Sequence, residues 1–156
     1  MPRKIILHKR KRYWFHVSTT LTKKEITLCP RGNEGFNRNE AEPEKKRICV
    51  SPSLEQCLVA IPYGCRDRLY IYRTKSPIVA HEPHEVFDAS VTEEGWIFRP
   101  TRFKRLGQLN LNNILDDEGN KIDVIHEVAP FGSLSRSRKA YRWWRKLNPW
   151  KHILKS

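Results

Sequence analysis

The sequence predicts an α+β fold: a split, mostly antiparallel β-sheet with one or two helices, and a basic, Trp-rich helical tail. Three observations predict it. Short β-branched and aromatic runs recur between clusters of turn-forming residues, six to eight times along the chain. One internal segment, Leu54 to Ile61, has helical rather than strand periodicity. The last twenty residues carry a second helical stripe, built from tryptophan. At 156 residues the chain has the length of one domain with a single real core.

Taken in order, Tyr13–Thr19 (YWFHVST) is aromatic and β-branched, the composition of a strand. Glu25–Gly32 (EITLCPRG) reads as a short strand stopped by Pro30 and Gly32. Residues 32–47 are polar and almost without apolar anchors, as expected of a mobile binding loop or lid. Ile48–Val50 is a third strand. Leu54, Cys57, Leu58 and Ile61 then fall at i, i+3, i+4 and i+7 on one helical face, and Pro62 ends the segment. Arg68–Thr74 (RLYIYRT) alternates Leu69, Ile71 and Arg73 against Tyr70 and Tyr72. Val86–Ser90, Trp96–Arg99 and Thr101–Leu106 are further strand candidates, and a last strand is expected near Ile122–Val128 after the turn at D-D-E-G-N. The β-rich body is expected to end near Pro130, with Phe131–Arg138 as a linker. This divides the chain into a basic arm (1–12), a domain (13–130) and a C-terminal extension (131–156).

The net charge of +13 belongs to the two ends. Residues 1–12 hold six Lys/Arg and residues 133–156 hold eight, with no acid in either segment. The remaining 16 cations face all 17 acids, so the body is nearly neutral. Basic ends attract nucleic acid, an anionic membrane or an acidic protein. Cys29, Cys49, Cys57 and Cys65 lack the C-x-x-C spacing of a zinc or redox site. Core packing is the expected use of Cys49 and Cys57. The absence of a signal peptide and of an apolar run approaching the ~20 residues of a membrane span makes a cytoplasmic protein the expectation.

V-S-P-S, Val50 to Ser53, leads into the helix with two serines. Ser51 can be the N-cap with Pro52 at the first helical position; alternatively Ser53 caps, with Gln56 completing a capping box. A helix N-terminus also favours a phosphate, so a cap and the wall of a site are compatible here.

The order F-H-V-S, V-S-P-S before a helix, L-Y-I-Y-R, then V-T-E-E-G-W-I-F resembles the ADP-ribosyltransferase-like fold over about residues 13–106. The resemblance implies a split sheet clamping NAD, and a glycosyltransferase activity that breaks the bond between ribose and nicotinamide. It implies Glu94 or Glu93 as the catalytic carboxylate. It implies His16 and Ser18 on the first strand, Ser51 and Ser53 before the helix, and Tyr72 on the next strand as cofactor-binding residues. A carboxylate beside the ribose would stabilise the positive charge that develops there. RNA 2′-phosphotransferases share the architecture, and by that resemblance Arg31, Arg47 and Arg73 are possible phosphate contacts. Without ligands, T-E-E-G is also an ordinary turn, and His16 an ordinary strand histidine.

H-E-P-H-E places His81 and His84 near Glu82 and Glu85, but Pro83 breaks any helical face; a polar loop explains the string, and no metal is expected. In the tail, Ala140, Trp143, Trp144 and Leu147 form one stripe and Trp150, Ile153 and Leu154 another, with Arg142, Arg145 and Lys146 off the stripe. Arg10, Arg12, Arg138, Arg142, Trp143, Trp144, Arg145, Lys146 and Trp150 are the candidate contacts to nucleic acid or a partner groove. The tail can dock on its own domain, enter a partner groove or anionic membrane, or stack on nucleic acid. Two functions follow: an NAD-dependent enzyme brought to a protein or nucleic-acid target by basic ends, or a non-enzymatic basic module that engages a nucleic-acid-handling machine.

Overall fold

A computed structural model of the chain describes residues 10–31, 46–61, 67–83, 89–128, 131 and 133–155. It is an α+β fold. Its strands are β1 (Phe15–Ser18), β2 (Glu25–Leu28), β3 (Ile48–Val50), β4 (Arg68–Thr74), β5 (Gly95–Ile97) and β6 (Thr101–Asn110). Its helices are α1 (Leu54–Ala60), α2 (Ala89–Thr92), α3 (Val124–Val128) and α4 (Ser133–Leu147), with 3-10 turns at Leu111–Asn113 and Pro149–His152. The strands form a four-stranded sheet, β1-β4-β6-β2, and a two-stranded one, β3-β5, with every pairing antiparallel.

Alternation along β4 divides the core in two. Leu69 and Ile71 face one side, where they pack with Leu54 and Leu58 of α1, Leu109, and Trp144 of α4. Tyr72 faces the other side, where it meets Trp14, Phe103 and the inward residues Ile48, Val50 and Ile97 of the small sheet. A β-bulge lets β6 serve both cores. Ile71 pairs with Gly107 but Tyr72 pairs with Arg105, so Leu106 is the extra residue and the facing of odd-numbered residues reverses across it. Phe103 therefore enters one core and Leu109 the other. A Cβ at Gly107 would lie 2.5 Å from the Leu154 carbonyl oxygen, so only glycine allows the C-terminal segment to lie against β6.

The helix over 54–61 forms on the expected face, with Leu54, Cys57 and Leu58 buried. Ser53 is its N-cap: its hydroxyl accepts from the Gln56 N–H at 3.2 Å and donates to Gln56 Oε1 at 2.8 Å. Of the two capping alternatives this is the capping box, and Ser51 belongs to the preceding extended segment.

Three expectations are corrected. The strand near Ile122–Val128 is instead helix α3, started by Asp123, whose side chain accepts from the His126 N–H. The linker over Phe131–Arg138 is largely the first turns of α4; serine and arginine alternate there without a helix breaker. The Val86–Ser90 strand lies mostly outside the described residues, and Ala89–Ser90 open the helical turn α2. Residues 32–45, 84–85 and the arm before Arg10 also lie outside them. Among the described residues no helix is long and apolar enough to cross a membrane.

Candidate functional site

The two sheets meet along a seam with two backbone stitches. Phe15 and Ser51 exchange both hydrogen bonds, at 2.8 and 3.0 Å, and Arg31 and Arg47 do the same at 3.0 and 2.9 Å. Between the stitches runs β3. Trp96 of β5 spends its own N–H and C=O on His81, at 2.8 and 2.9 Å. Its pairing with Cys49 is therefore of the non-hydrogen-bonded kind, and the Cys49 carbonyl points away from β5. His16 of β1 takes that carbonyl, with Nδ1 3.0 Å from it.

A carbonyl only accepts, so Nδ1 carries the ring proton. Burial is the main cause that holds the His16 pKa below its ordinary value; the Cys49 hydrogen bond opposes it, and the nearby Arg31 cation lowers it further. The ring is thus neutral near pH 7, and its Nε2 lone pair meets no hydrogen-bond donor among the described residues. His16 remains half-buried and keeps contact with solvent.

Glu94 reaches the same residue from the other side. Its carboxylate hydrogen-bonds the Cys49 thiol and accepts from the Trp96 indole N–H at 3.1 Å. Desolvation first, then Glu94, push the Cys49 thiol far above its ordinary range, while Arg47 pulls the other way. The Arg47 guanidinium is buried and lies 4.4 Å over the Trp96 ring. Glu93, one residue earlier, has φ of 49°, a left-handed conformation that a non-glycine residue adopts at some cost. The T-E-E-G turn is therefore wound tightly, and it aims Glu94 at the seam.

His16 and Glu94 thus each contact Cys49, one at its carbonyl and the other at its thiol. The other expected cofactor contacts have structural employment. Ser18 Oγ accepts from the Thr20 and Leu21 N–H groups at 3.2 and 3.0 Å, closing a turn. Ser51 is 3% exposed and faces Cys57. That thiol is pushed up to about 12, chiefly by burial, and donates to the Phe15 carbonyl at 3.2 Å. Ser53 is the helix cap. Tyr72 is fully buried and its hydroxyl donates to the Lys23 carbonyl at 2.6 Å. In the structure these four side chains make turn, wall, cap and core contacts. Cys49 is corrected from core packing: the residue is exposed, while its thiol sits against Glu94 and Arg47.

Sequence reasoning missed Trp96 and Cys49 as site residues and weighed Arg31 and Arg47 only as phosphate contacts. A signal was present: alternation in R-I-C-V puts Arg47 and Cys49 on the face opposite Ile48 and Val50. His81 is occupied by its backbone pairing with Trp96 and by ring contact with Phe98 at 4.8 Å.

Of the cationic candidates, Arg10, Arg138, Arg142, Arg145 and Lys146 are exposed. Arg12 lies over Trp14. Trp144 is 3% exposed in the core shared with α1, which leaves it no surface for nucleic acid, and Trp143 packs half-buried against that core, so the C-terminal extension docks on its own domain. Trp150 stays 41% exposed, edge-on to Phe15 at 5.7 Å. A surface pocket of about 470 Å³ lined by Asp117, Trp143 and His152 lies by the C-terminal segment, away from His16 and Glu94.

Comparison of the chain with family models, with curated proteins and with solved structures finds no match.

Proposed function

We propose that the chain is an ADP-ribosyltransferase-like protein that binds NAD at the seam between its two sheets and modifies a protein or nucleic-acid target held by its basic surface. The observation that carries this reading is that His16 and Glu94 both contact Cys49, His16 at its carbonyl and Glu94 at its thiol. The donor set fits the ligand: one neutral acceptor, one carboxylate and flanking arginines suit a ribose hydroxyl, a developing positive charge and a diphosphate. NAD supplies a glycosidic bond to nicotinamide whose breaking leaves positive charge on the ribose.

In this reading Glu94 holds a negative charge beside that ribose, and Trp96 fixes its rotamer. His16 accepts a ribose hydroxyl proton at Nε2, because its Nδ1 proton is committed to Cys49. Arg31 at the rim meets phosphate. Equilibrium titration with NAD tests the reading. Wild-type protein binds, and Glu94→Gln, which keeps an oxygen for the Trp96 N–H, binds but does not turn over. A wild-type protein with no affinity for NAD ends it.

A non-enzymatic basic module has one observation in its favour. The exposed cations Arg138, Arg142, Arg145 and Lys146 of α4 form no ion pair with any described carboxylate. Binding to nucleic acid through them would fall steeply with salt and vanish when they are neutralised together.

A further inference from the structure

The four-stranded sheet is covered unevenly on its α1/α4 side. The helices lie over Leu69, Ile71 and Leu109, at one end of the strands. The other end carries a different row. Read across β1, β4, β6 and β2, Phe15 pairs with Arg73, Arg73 with Lys104, and Lys104 with Glu25. One step along, Lys75 hydrogen-bonds the backbone of Arg102, which pairs with Thr27. Lys75, Arg102 and Lys104 are exposed, and Glu25, the single acid among these residues, sits between Lys75 at 3.1 Å and Arg102 at 3.8 Å. Aromatic rings rim the same face. Tyr13 is 41% exposed with the Arg73 guanidinium 4.2 Å over its ring, and Trp150 is 41% exposed against Phe15. Neither Arg73 nor Lys104 forms an ion pair with a described carboxylate.

We propose that this open sheet face, with Tyr13 and Trp150 as stacking rings and Arg73, Lys75, Arg102 and Lys104 as phosphate contacts, binds single-stranded nucleic acid. Charge complementarity and ring exposure choose the partner. An excess of cations on a flat strand surface matches a phosphate backbone, spaced cations follow its track, and exposed rings take unstacked bases. Duplex keeps its bases stacked and offers nothing to Tyr13 and Trp150. Twist across the strands spaces the cations so that one strand can run diagonally from the Trp150 edge toward β2. The surface is separate from the His16–Glu94 seam and does not rest on the NAD reading.

Fluorescence anisotropy of labelled 12-nucleotide RNA and DNA strands, and of the matching duplex, tests it with the full chain. Wild type binds single strands more tightly than duplex. Arg102→Gln with Lys104→Gln weakens binding at least tenfold and lowers the slope of log affinity against log salt by about 1.4. Tyr13→Ala weakens it about tenfold with the salt slope unchanged. Arg142→Gln with Arg145→Gln reads the competing outcome, in which the cations of α4 rather than those of the sheet carry the binding. Absence of single-strand binding overturns the proposal. So does preference for duplex, or loss of binding in the α4 variant with the sheet variants unaffected. NAD titration of the sheet variants is unchanged, which separates the two surfaces.

Discussion

The imidazole of His16 and the carbonyl of Cys49 join the two sheets at the point where their backbones do not, through a 3.0 Å hydrogen bond between two stitches. Burial of the ring, which this bond only partly offsets, makes stability depend on pH. In the unfolded chain the ring protonates near its ordinary value of 6.5; in the folded chain it does so only at lower pH. Above about 6.5 both states hold it neutral and its contribution is intact. As pH falls through 6.5 toward the folded value, the unfolded chain gains a proton that the folded chain resists, and stability declines. Urea midpoints measured from about pH 7.5 to about pH 5.5 should fall more steeply for wild type than for His16→Asn, whose amide keeps the donor without titrating.

Trp96 holds Glu94 with its indole N–H and carries Arg47 on its ring. Trp96→Phe keeps the buried ring and removes the donor to a carboxylate. It should cost about 2 kcal/mol in denaturant titration. It should also reduce turnover more than NAD affinity, because Glu94 is freed to leave the seam while His16 stays. Equal loss in both would show that Trp96 acts only on the fold.

The left-handed backbone at Glu93 predicts a gain from glycine. Glu93→Gly relieves a strained φ at the cost of chain entropy, and should be neutral to about 1 kcal/mol stabilising by thermal or chemical denaturation. Glu93→Val, β-branched, should cost stability there instead. Since Glu94 is the carboxylate aimed at Cys49, nicotinamide release should survive Glu93→Gly.

Trp144 is buried with its indole N–H lacking a hydrogen-bond partner among the described residues. Trp144→Ala should cost about 3–5 kcal/mol by opening a cavity between α1 and α4. Trp144→Phe removes the orphaned donor as well as some volume, so these effects oppose and the loss should be under about 1.5 kcal/mol. Denaturant midpoints of the two variants distinguish a docked α4 from one that only grazes the domain.

Strand and helix periods were readable where they are local. Leu54, Cys57 and Leu58 announced α1, and the alternation from Leu69 to Thr74 announced which residues of β4 face which core. The site was readable in part. F-H-V-S and T-E-E-G singled out His16 and Glu94, which both contact Cys49, while Ser18, Ser53 and Tyr72, from F-H-V-S, V-S-P-S and L-Y-I-Y-R, are used for a turn, a cap and the core. A serine that caps and a serine that lines a site have the same neighbours in sequence; only the location of the free hydroxyl separates them. Trp96, Cys49 and Arg47 were hidden for another reason. Their roles arise from the pairing of β3 with β5, nearly fifty residues apart, and from the bond that turns the Cys49 carbonyl toward β1. The α3 error has a local origin instead: apolar residues in I-D-V-I-H-E-V fit either period, and the Asp123 cap decides.

The most direct measurement is release of nicotinamide from NAD by purified full-length protein, compared with Glu94→Gln. The account predicts release by wild type and a loss of at least about 100-fold in the variant, with circular dichroism and denaturant midpoint preserved. Release at wild-type rate by Glu94→Gln, or none from the wild-type protein, would contradict it.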